Sequence, residues 1–390
     1  MAKLYTPDQF GLFTLFTVLV TVFMAPSTGR YEYAVMLPDK DEEAYDLVRL
    51  SRRFCLVFSL AAGLLAWLVG PALASRFGHP ELARLLPFLA PFLLATGFFS
   101  ILTFWFNRLE AYRLLASSRV VQVLVAALCW VVFGLLGWSA PGLVLGSVLG
   151  WVIGSLWLEW ALFKRGAPRR EPPQLLQVAR AYQSFPLYQA PAGVLKIFSD
   201  TGVFFVLGAF FSAADVGQFA LAFRALWSPL QVTSQVFGQL VNRELGRRPD
   251  RKAFYLRQLA IAVLFMGGLV LPVLLAGPWL FKLVFGPEWG PAGELARWLS
   301  LWMVACFAVE SVSYAFAAGQ ANWLLLLWRL AYIAGLALVF APILGQSVET
   351  VTRAYTLYGV GAFTLLAGLG WWACGRISAL PPEPPAAVAP

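Results

Sequence analysis

The sequence predicts an all-α polytopic membrane protein with about eleven transmembrane helices. Of its 390 residues, 60% are hydrophobic and 13% charged, where soluble domains carry roughly 25% charged residues. The apolar residues fall in blocks of about 20, long enough to cross a hydrocarbon core of about 30 Å as helices. The blocks lack the period-two alternation of a membrane strand, and lipid leaves free backbone groups unsatisfied, so helices are expected rather than a closed barrel.

Five blocks come first, at 10–29, 54–74, 82–106, 114–136 and 140–163. The fifth contains Gly142, Gly146, Gly150 and Gly154, spaced so that one helix face has no side chains and a neighbour packs closely. The stretch KRGAPRREPPQLLQVAR at 164–180 is the longest polar interruption rich in Pro and Arg. Six blocks follow, at 187–211, 215–240, 257–281, 294–318, 322–344 and 352–374. The expected organisation is an N-terminal bundle over 1–163, a basic linker over 164–180, a six-helix bundle over 181–376 and a Pro-rich, disordered tail over 377–390. Pro26, Pro191 and Pro229 are expected hinge points.

Charge fixes the orientation. Alternate loops, spanning Arg30 to Arg53, Arg108 to Arg119, Lys164 to Arg180, Arg243 to Arg257 and finally Arg376, hold 20 of the 29 Lys and Arg residues. The positive-inside rule makes those loops and the C-terminus cytoplasmic. The net charge of +9 is thereby a topology signal and not a nucleic-acid footprint. After an odd number of spans the N-terminus falls outside without a signal peptide, so an upstream helix is expected to be lacking.

Several chemistries are excluded. Cys55, Cys129, Cys306 and Cys374 lie singly in or beside apolar segments and read as packing residues. His79 is the one histidine, which leaves no His-based metal site or Ser-His hydrolase. There is no GxxxxGK[ST] stretch for ATP. Neither enzymatic activity nor a cofactor is expected.

The run Tyr5 to Gly11 (YTPDQFG), then Arg30 to Pro38 (RYEYAVMLP) and Asp41-Glu-Glu-Ala44, resembles the second helix and following loop of the Wzx-like polysaccharide flippases. Trp105-Phe-Asn-Arg108 with Ser118-Arg119, Phe185-Pro186 with Tyr188 and Pro191, and Val216-Gly217 with Leu221-Ala-Phe-Arg224 and Pro229 are similar to later segments. So are Phe285-Gly286 with Trp289, Ala292 and Gly293. The resemblance implies the twelve-helix, MATE-like architecture of the multidrug/oligosaccharidyl-lipid/polysaccharide superfamily, with the first helix missing here. It further implies alternating access to an undecaprenyl-diphosphate-linked oligosaccharide in the bacterial inner membrane, with membrane lipids around it. A proton or sodium gradient is the implied drive, and polysaccharide polymerase and chain-length proteins are the implied partners.

Charges within the spans cost about 2.5 to 3.5 kcal/mol at mid-bilayer and mark function or pairing. Arg224 is the leading candidate for a lipid diphosphate, because guanidinium offers a planar fork of donors to phosphate. Lys196 and Asp200, four apart, pair along one helix face or serve in binding and ion coupling respectively. Arg30 and Arg108 read equally as substrate ligands or topology charges, and Glu32 as a counter-ion or an ion-coupling group. Glu310 reads as a coupling acid or as a structural hydrogen-bonding group. Three other readings stay open: a cation or drug exporter of the same superfamily, a membrane polymerase or glycosyltransferase, and a structural membrane subunit.

Overall fold

In the computed structural model the described residues are 4–166, 168, 174–245, 250–313, 315–316, 321–343 and 346–376. They form helices and turns with no strand among them. The tail at 377–390 and positions 167 and 169–173 of the linker lie outside the described residues.

Helix α1 (Pro7–Met24) starts where Thr6 accepts a hydrogen bond from the Gln9 N–H and the Gln9 side chain reaches back, with Pro7 at the first position. It stops earlier than the 10–29 block suggests. Pro26 lacks an N–H to continue the ladder, and the next residues close two turns, Ser27 N–H to Met24 O and Gly29 N–H to Pro26 O. Gly29 and Arg30 both have positive φ, at 64° and 59°, reversing the chain into the short α2 (Tyr31–Ala34). Helix α3 (Asp41–Arg76) is 36 residues long, with Asp41, Glu42 and Glu43 in its first turn, where the helix dipole favours acids.

Helices α4 (Leu89–Arg108), α5 (Tyr112–Leu135) and α6 (Ser139–Arg165) follow. The glycine stripe of α6 does what its spacing predicts. A Cβ on Gly150 would lie 2.7 Å from the Gln122 carbonyl oxygen of α5, and one on Gly154 2.9 Å from Gln122 Cβ and from the Phe99 ring. The short α7 (Leu175–Ala181) is tied to α3, since Tyr182 Oη donates to Glu43 at 3.1 Å and the Gln174 N–H to Asp46 at 3.2 Å.

After one π-helical turn at Phe185–Gln189, α8 (Ala190–Phe210) carries Pro191 in its first turn. Its sharpest change of direction lies further along. Segments Phe185–Phe198 and Asp200–Phe210 meet at 58°, so the bend of this block sits about two turns beyond the expected Pro191 hinge. Helix α9 (Ala213–Leu245) runs helical through Pro229. Its start crosses α1 at backbone contact: a Cβ on Gly11 would lie 1.7 Å from the Ala213 carbonyl oxygen, and one on Gly217 1.9 Å from that of Pro7. Only hydrogen fits at either place, which gives two motif glycines a packing reason.

The chain then forms α10 (Arg251–Phe285), α11 (Gly290–Val312), α12 (Asn322–Phe340) and α13 (Val348–Cys374). Helix α10 kinks at Ala276 (φ −132°, ψ 26°) between Pro272 and Pro278. Pro278 removes the N–H that would bond the Leu274 carbonyl, and Arg297 Nε of α11 takes that carbonyl at 2.9 Å. A cation of the next helix thus completes a proline kink.

Nine described helices are long and apolar enough to cross a membrane, or ten with the bent pair around Ser199 counted as one span. Helix α9 has the length, 33 residues, but polar residues interrupt its sequence throughout, at Asp215, Gln218, Arg224, Gln231, Thr233 and Gln235. The chain separates into two compact units, Met1–Gly217 and the part from Gln218 onward.

Candidate functional site

The first unit is built around Leu47, Val48, Cys55, Ile101, Leu102, Trp105 and Phe106, all at or near zero exposure. Against this core lies a concentration of buried polar atoms. Arg30 Nε, Glu32 Oε2 and Ser51 Oγ are each buried without a hydrogen-bond partner. An unsatisfied buried polar group costs about 1 to 3 kcal/mol, so such groups cluster where a ligand or water completes them.

Arg30 is placed by its backbone. A non-glycine residue at φ 59° is uncommon, and here it aims the guanidinium at α8, where a Cβ on Gly193 would meet Arg30 Nη2 at 2.2 Å. Nη1 donates to the Tyr33 hydroxyl at 2.9 Å, and the guanidinium carbon lies 5.3 Å from the centre of the Tyr33 ring. Two residues on, Glu32 is 4% exposed. Burial pushes its carboxyl above the ordinary range, with the Arg30 charge opposing. Neither Tyr33 nor Gly193 stood out in the sequence, because the bend that joins them depends on a residue type that seldom makes it.

Arg108 lies close by in the chain's architecture and is engaged throughout. Its Nε donates to Asp41 at 2.9 Å, Nη1 to the Val35 carbonyl at 3.1 Å and Nη2 to the Asp39 carbonyl at 3.3 Å, while the side chain is 14% exposed. It clamps the α2–α3 connection. Lys196 and Asp200 do pair along α8 as their spacing predicts. The pair is not buried, with side chains 55% and 41% exposed.

The second unit contributes Arg224, half-buried in α9. Its helix neighbours Phe223 and Trp227 stack at 5.4 Å, both meet Trp302 of α11 at 5.7 and 6.0 Å, and Trp302 meets Tyr355 of α13 at 5.4 Å. Thirty-two Phe, sixteen Trp and twelve Tyr residues gave composition no means to select these four. Gln218, one face up α9, accepts from the Ala292 N–H at 2.9 Å and donates to the Glu288 carbonyl at 2.8 Å, which locks the loop holding fully buried Trp289. Glu310 is exposed in the last turn of α11, where its backbone carbonyl accepts from Ser313 Oγ at 2.9 Å. The described residues hold no group of three or more His, Cys, Asp or Glu able to bind a metal.

Comparison with known proteins places this architecture. The fold matches that of the lipid II flippase MurJ in an inward closed conformation, with a TM-score of 0.72 and 11% identity over 93% of this chain and 81% of that one. It also matches the MATE transporter ClbM in complex with Rb+, with a TM-score of 0.50 and 13% identity over 98% of this chain and 87% of that one. At such identities the likeness is one of fold. Two uncharacterized proteins of Mycobacterium tuberculosis, from strains CDC 1551 / Oshkosh and ATCC 25618 / H37Rv, are each 28% identical over 261 residues. That match covers 63% of this chain and 56% of each relative, so it spans little more than half of their length. Residues 1–294 match the family described as polysaccharide biosynthesis protein, and the chain belongs to that family.

Proposed function

We propose that this protein flips undecaprenyl-diphosphate-linked oligosaccharide, such as O-antigen, capsule or exopolysaccharide repeat units, from the cytoplasmic to the periplasmic leaflet of the bacterial inner membrane. The observation that carries the reading is Arg30. It is a cation held in a rare backbone conformation, with a buried Nε lacking a partner, in a chain of the polysaccharide biosynthesis family. A diphosphate supplies the acceptor oxygens that such a group lacks.

In this reading Arg30 and Arg224 are each candidates to bind the anionic head group, and the aromatic residues around Trp302 offer faces for sugar rings. Lys196 lends positive charge when its bond to Asp200 opens. Arg108 contributes by holding the α2–α3 connection more than by touching substrate. Glu32, Asp200 and Glu310 are the candidates for coupling to a proton or sodium gradient, with Glu32 favoured by its burial. The two bundles divided at 164–180 work by alternating access, the C-terminus faces the cytoplasm, and polymerase and chain-length proteins receive the product.

The test is export of lipid-linked repeat units in cells that depend on this protein. Arg224→Ala is expected to abolish export at unchanged membrane level. Full export by that variant removes Arg224 from the site, and full export by both Arg224→Ala and Arg30→Ala removes the diphosphate reading.

A further inference from the structure

The first unit carries an apolar groove that the flippase reading leaves unused. It has a volume of about 480 Å³ and is lined chiefly by Leu15 and Leu19 of α1, Val69 and Leu73 of α3, and Phe205 of α8. One end is closed by His79, whose Nε2 lies 2.7 Å from the Gly208 carbonyl oxygen and holds the turn after α3 against the end of α8.

Beyond His79 the surroundings change abruptly. His79, Phe77 and Ala209 line both the groove and an adjoining polar pocket of about 730 Å³ that contains Asp8, Arg76 and Glu81. A further pocket of about 600 Å³ shares Asp8 and Glu81 and adds Arg84. The apolar groove therefore adjoins a pocket holding one cation and two anions, and a second cation, Arg84, lines the pocket beyond it. Among the described residues none of the four forms an ion pair.

An apolar trough ending in unpaired charges has the shape and chemistry of a site for an amphiphile. The hydrocarbon chain covers the groove, and the charges select the head group. Arginine prefers a phosphate, through its fork of donors. The carboxylates of Asp8 and Glu81 prefer an ammonium, and they disfavour a doubly charged diphosphate through like-charge repulsion. A head group bearing one phosphate and one primary ammonium satisfies all four.

We propose that this groove and its polar end form a binding site for a zwitterionic, ethanolamine-type phospholipid, with an acyl chain between α1, α3 and α8 and the phosphate at Arg76. The site is distinct from Arg30. Asp8 lies in the first turn of α1 and Arg30 follows its end, a separation of about 27 Å along an 18-residue helix. On the positive-inside reading it faces the outer leaflet.

The experiment is native mass spectrometry of the full chain, delipidated in detergent and titrated with phosphatidylethanolamine, phosphatidylglycerol or an isoprenyl diphosphate. Phosphatidylethanolamine is expected to be retained about five- to ten-fold more tightly than phosphatidylglycerol. Arg76→Glu, and separately Asp8→Lys with Glu81→Lys, are expected to erase that preference, and Val69→Trp to lower retention of both lipids by filling the groove. Arg76, Asp8 and Glu81 are exposed, so those variants keep the fold, and an unchanged melting temperature verifies it.

Equal retention of the two phospholipids, indifferent to the charge variants, overturns the proposal and leaves ordinary boundary lipid. Tighter retention of the isoprenyl diphosphate overturns it in favour of a substrate seat, and a lipid-free dimer in favour of a second copy covering the groove. Binding is read directly here, so failure of this site leaves the transport reading standing, and failure of transport leaves this site standing.

Discussion

Arg30 and Arg108 look alike in the sequence, and the structure separates them. Both follow an apolar block, both lie in loops that the charge pattern predicts to be cytoplasmic, and both sit in motifs of the same resemblance. Arg108 spends its donors on Asp41 and on the Val35 and Asp39 carbonyls. Arg30 makes one hydrogen bond, to a tyrosine hydroxyl, and keeps Nε buried and unpartnered. A cation with every guanidinium nitrogen engaged is part of the scaffold, whereas one with a buried nitrogen in reserve is available to an incoming anion. Counting donors distinguishes the two where position does not.

Between these two arginines, the larger expected effect on export follows from the available one. Arg30→Ala should lower export of lipid-linked repeat units by at least about ten-fold, the consequence of losing a charged hydrogen bond to phosphate. Melting temperature and membrane level should hardly change. Gly193→Ala sharpens the point, because its new Cβ displaces the guanidinium without removing it; export should fall while the charge remains. If Arg30→Ala instead aggregates and exports normally per folded molecule, the two arginines have exchanged roles.

Arg108→Ala should do the reverse. Losing a partly buried ion pair and two carbonyl contacts is expected to cost about 2 kcal/mol of stability, read as a lower unfolding midpoint, with export per folded molecule largely retained. Asp41→Asn should weaken the same clamp by less, since the two carbonyl bonds persist.

Glu32 adds a pH dependence to the Arg30 side of the comparison. Its folded-state carboxyl titrates above the ordinary 4.5, chiefly through burial, so the folded chain holds the proton to higher pH than the unfolded chain does. Its contribution to stability is then full below pH 4.5 and declines as pH rises from there through the raised value. Glu32→Gln, uncharged at every pH, should flatten that decline in thermal unfolding measured across the window. An identical slope in wild type and variant would mean that Glu32 ionises in the folded protein at its ordinary pH.

How far these differences were legible varies along the chain. Blocks of apolar residues located the long helices, because lipid leaves a spanning segment little choice but a helix, but not all of their ends: α3 already begins at Asp41, well ahead of the 54–74 block. The glycine stripe of α6 and the Lys196–Asp200 spacing were readable because both are local periodicities. The clamp on Arg108 was not, since Asp41 lies 67 residues away, and neither was the aromatic group around Trp302, assembled from three helices. The turn at Gly29 and Arg30 was hidden for another reason. Glycine announces positive φ, but arginine does not, and the two together shorten the first span and bring the Arg30 guanidinium against Gly193.

The smallest effect is expected at the pair that the sequence made most conspicuous. Lys196 and Asp200 bond along α8 with both side chains well exposed, where such i,i+4 pairs contribute about 0.5 kcal/mol or less. Lys196→Ala and Asp200→Ala should therefore each shift the unfolding midpoint only slightly, and the double variant should resemble the singles. Export is the more informative measurement. If Lys196 lends its charge to the substrate, Lys196→Ala lowers export while Asp200→Ala, which frees the ammonium, preserves or raises it. Equal losses from both would instead make the intact pair the functional element, placing it with Arg108 as scaffold rather than with Arg30.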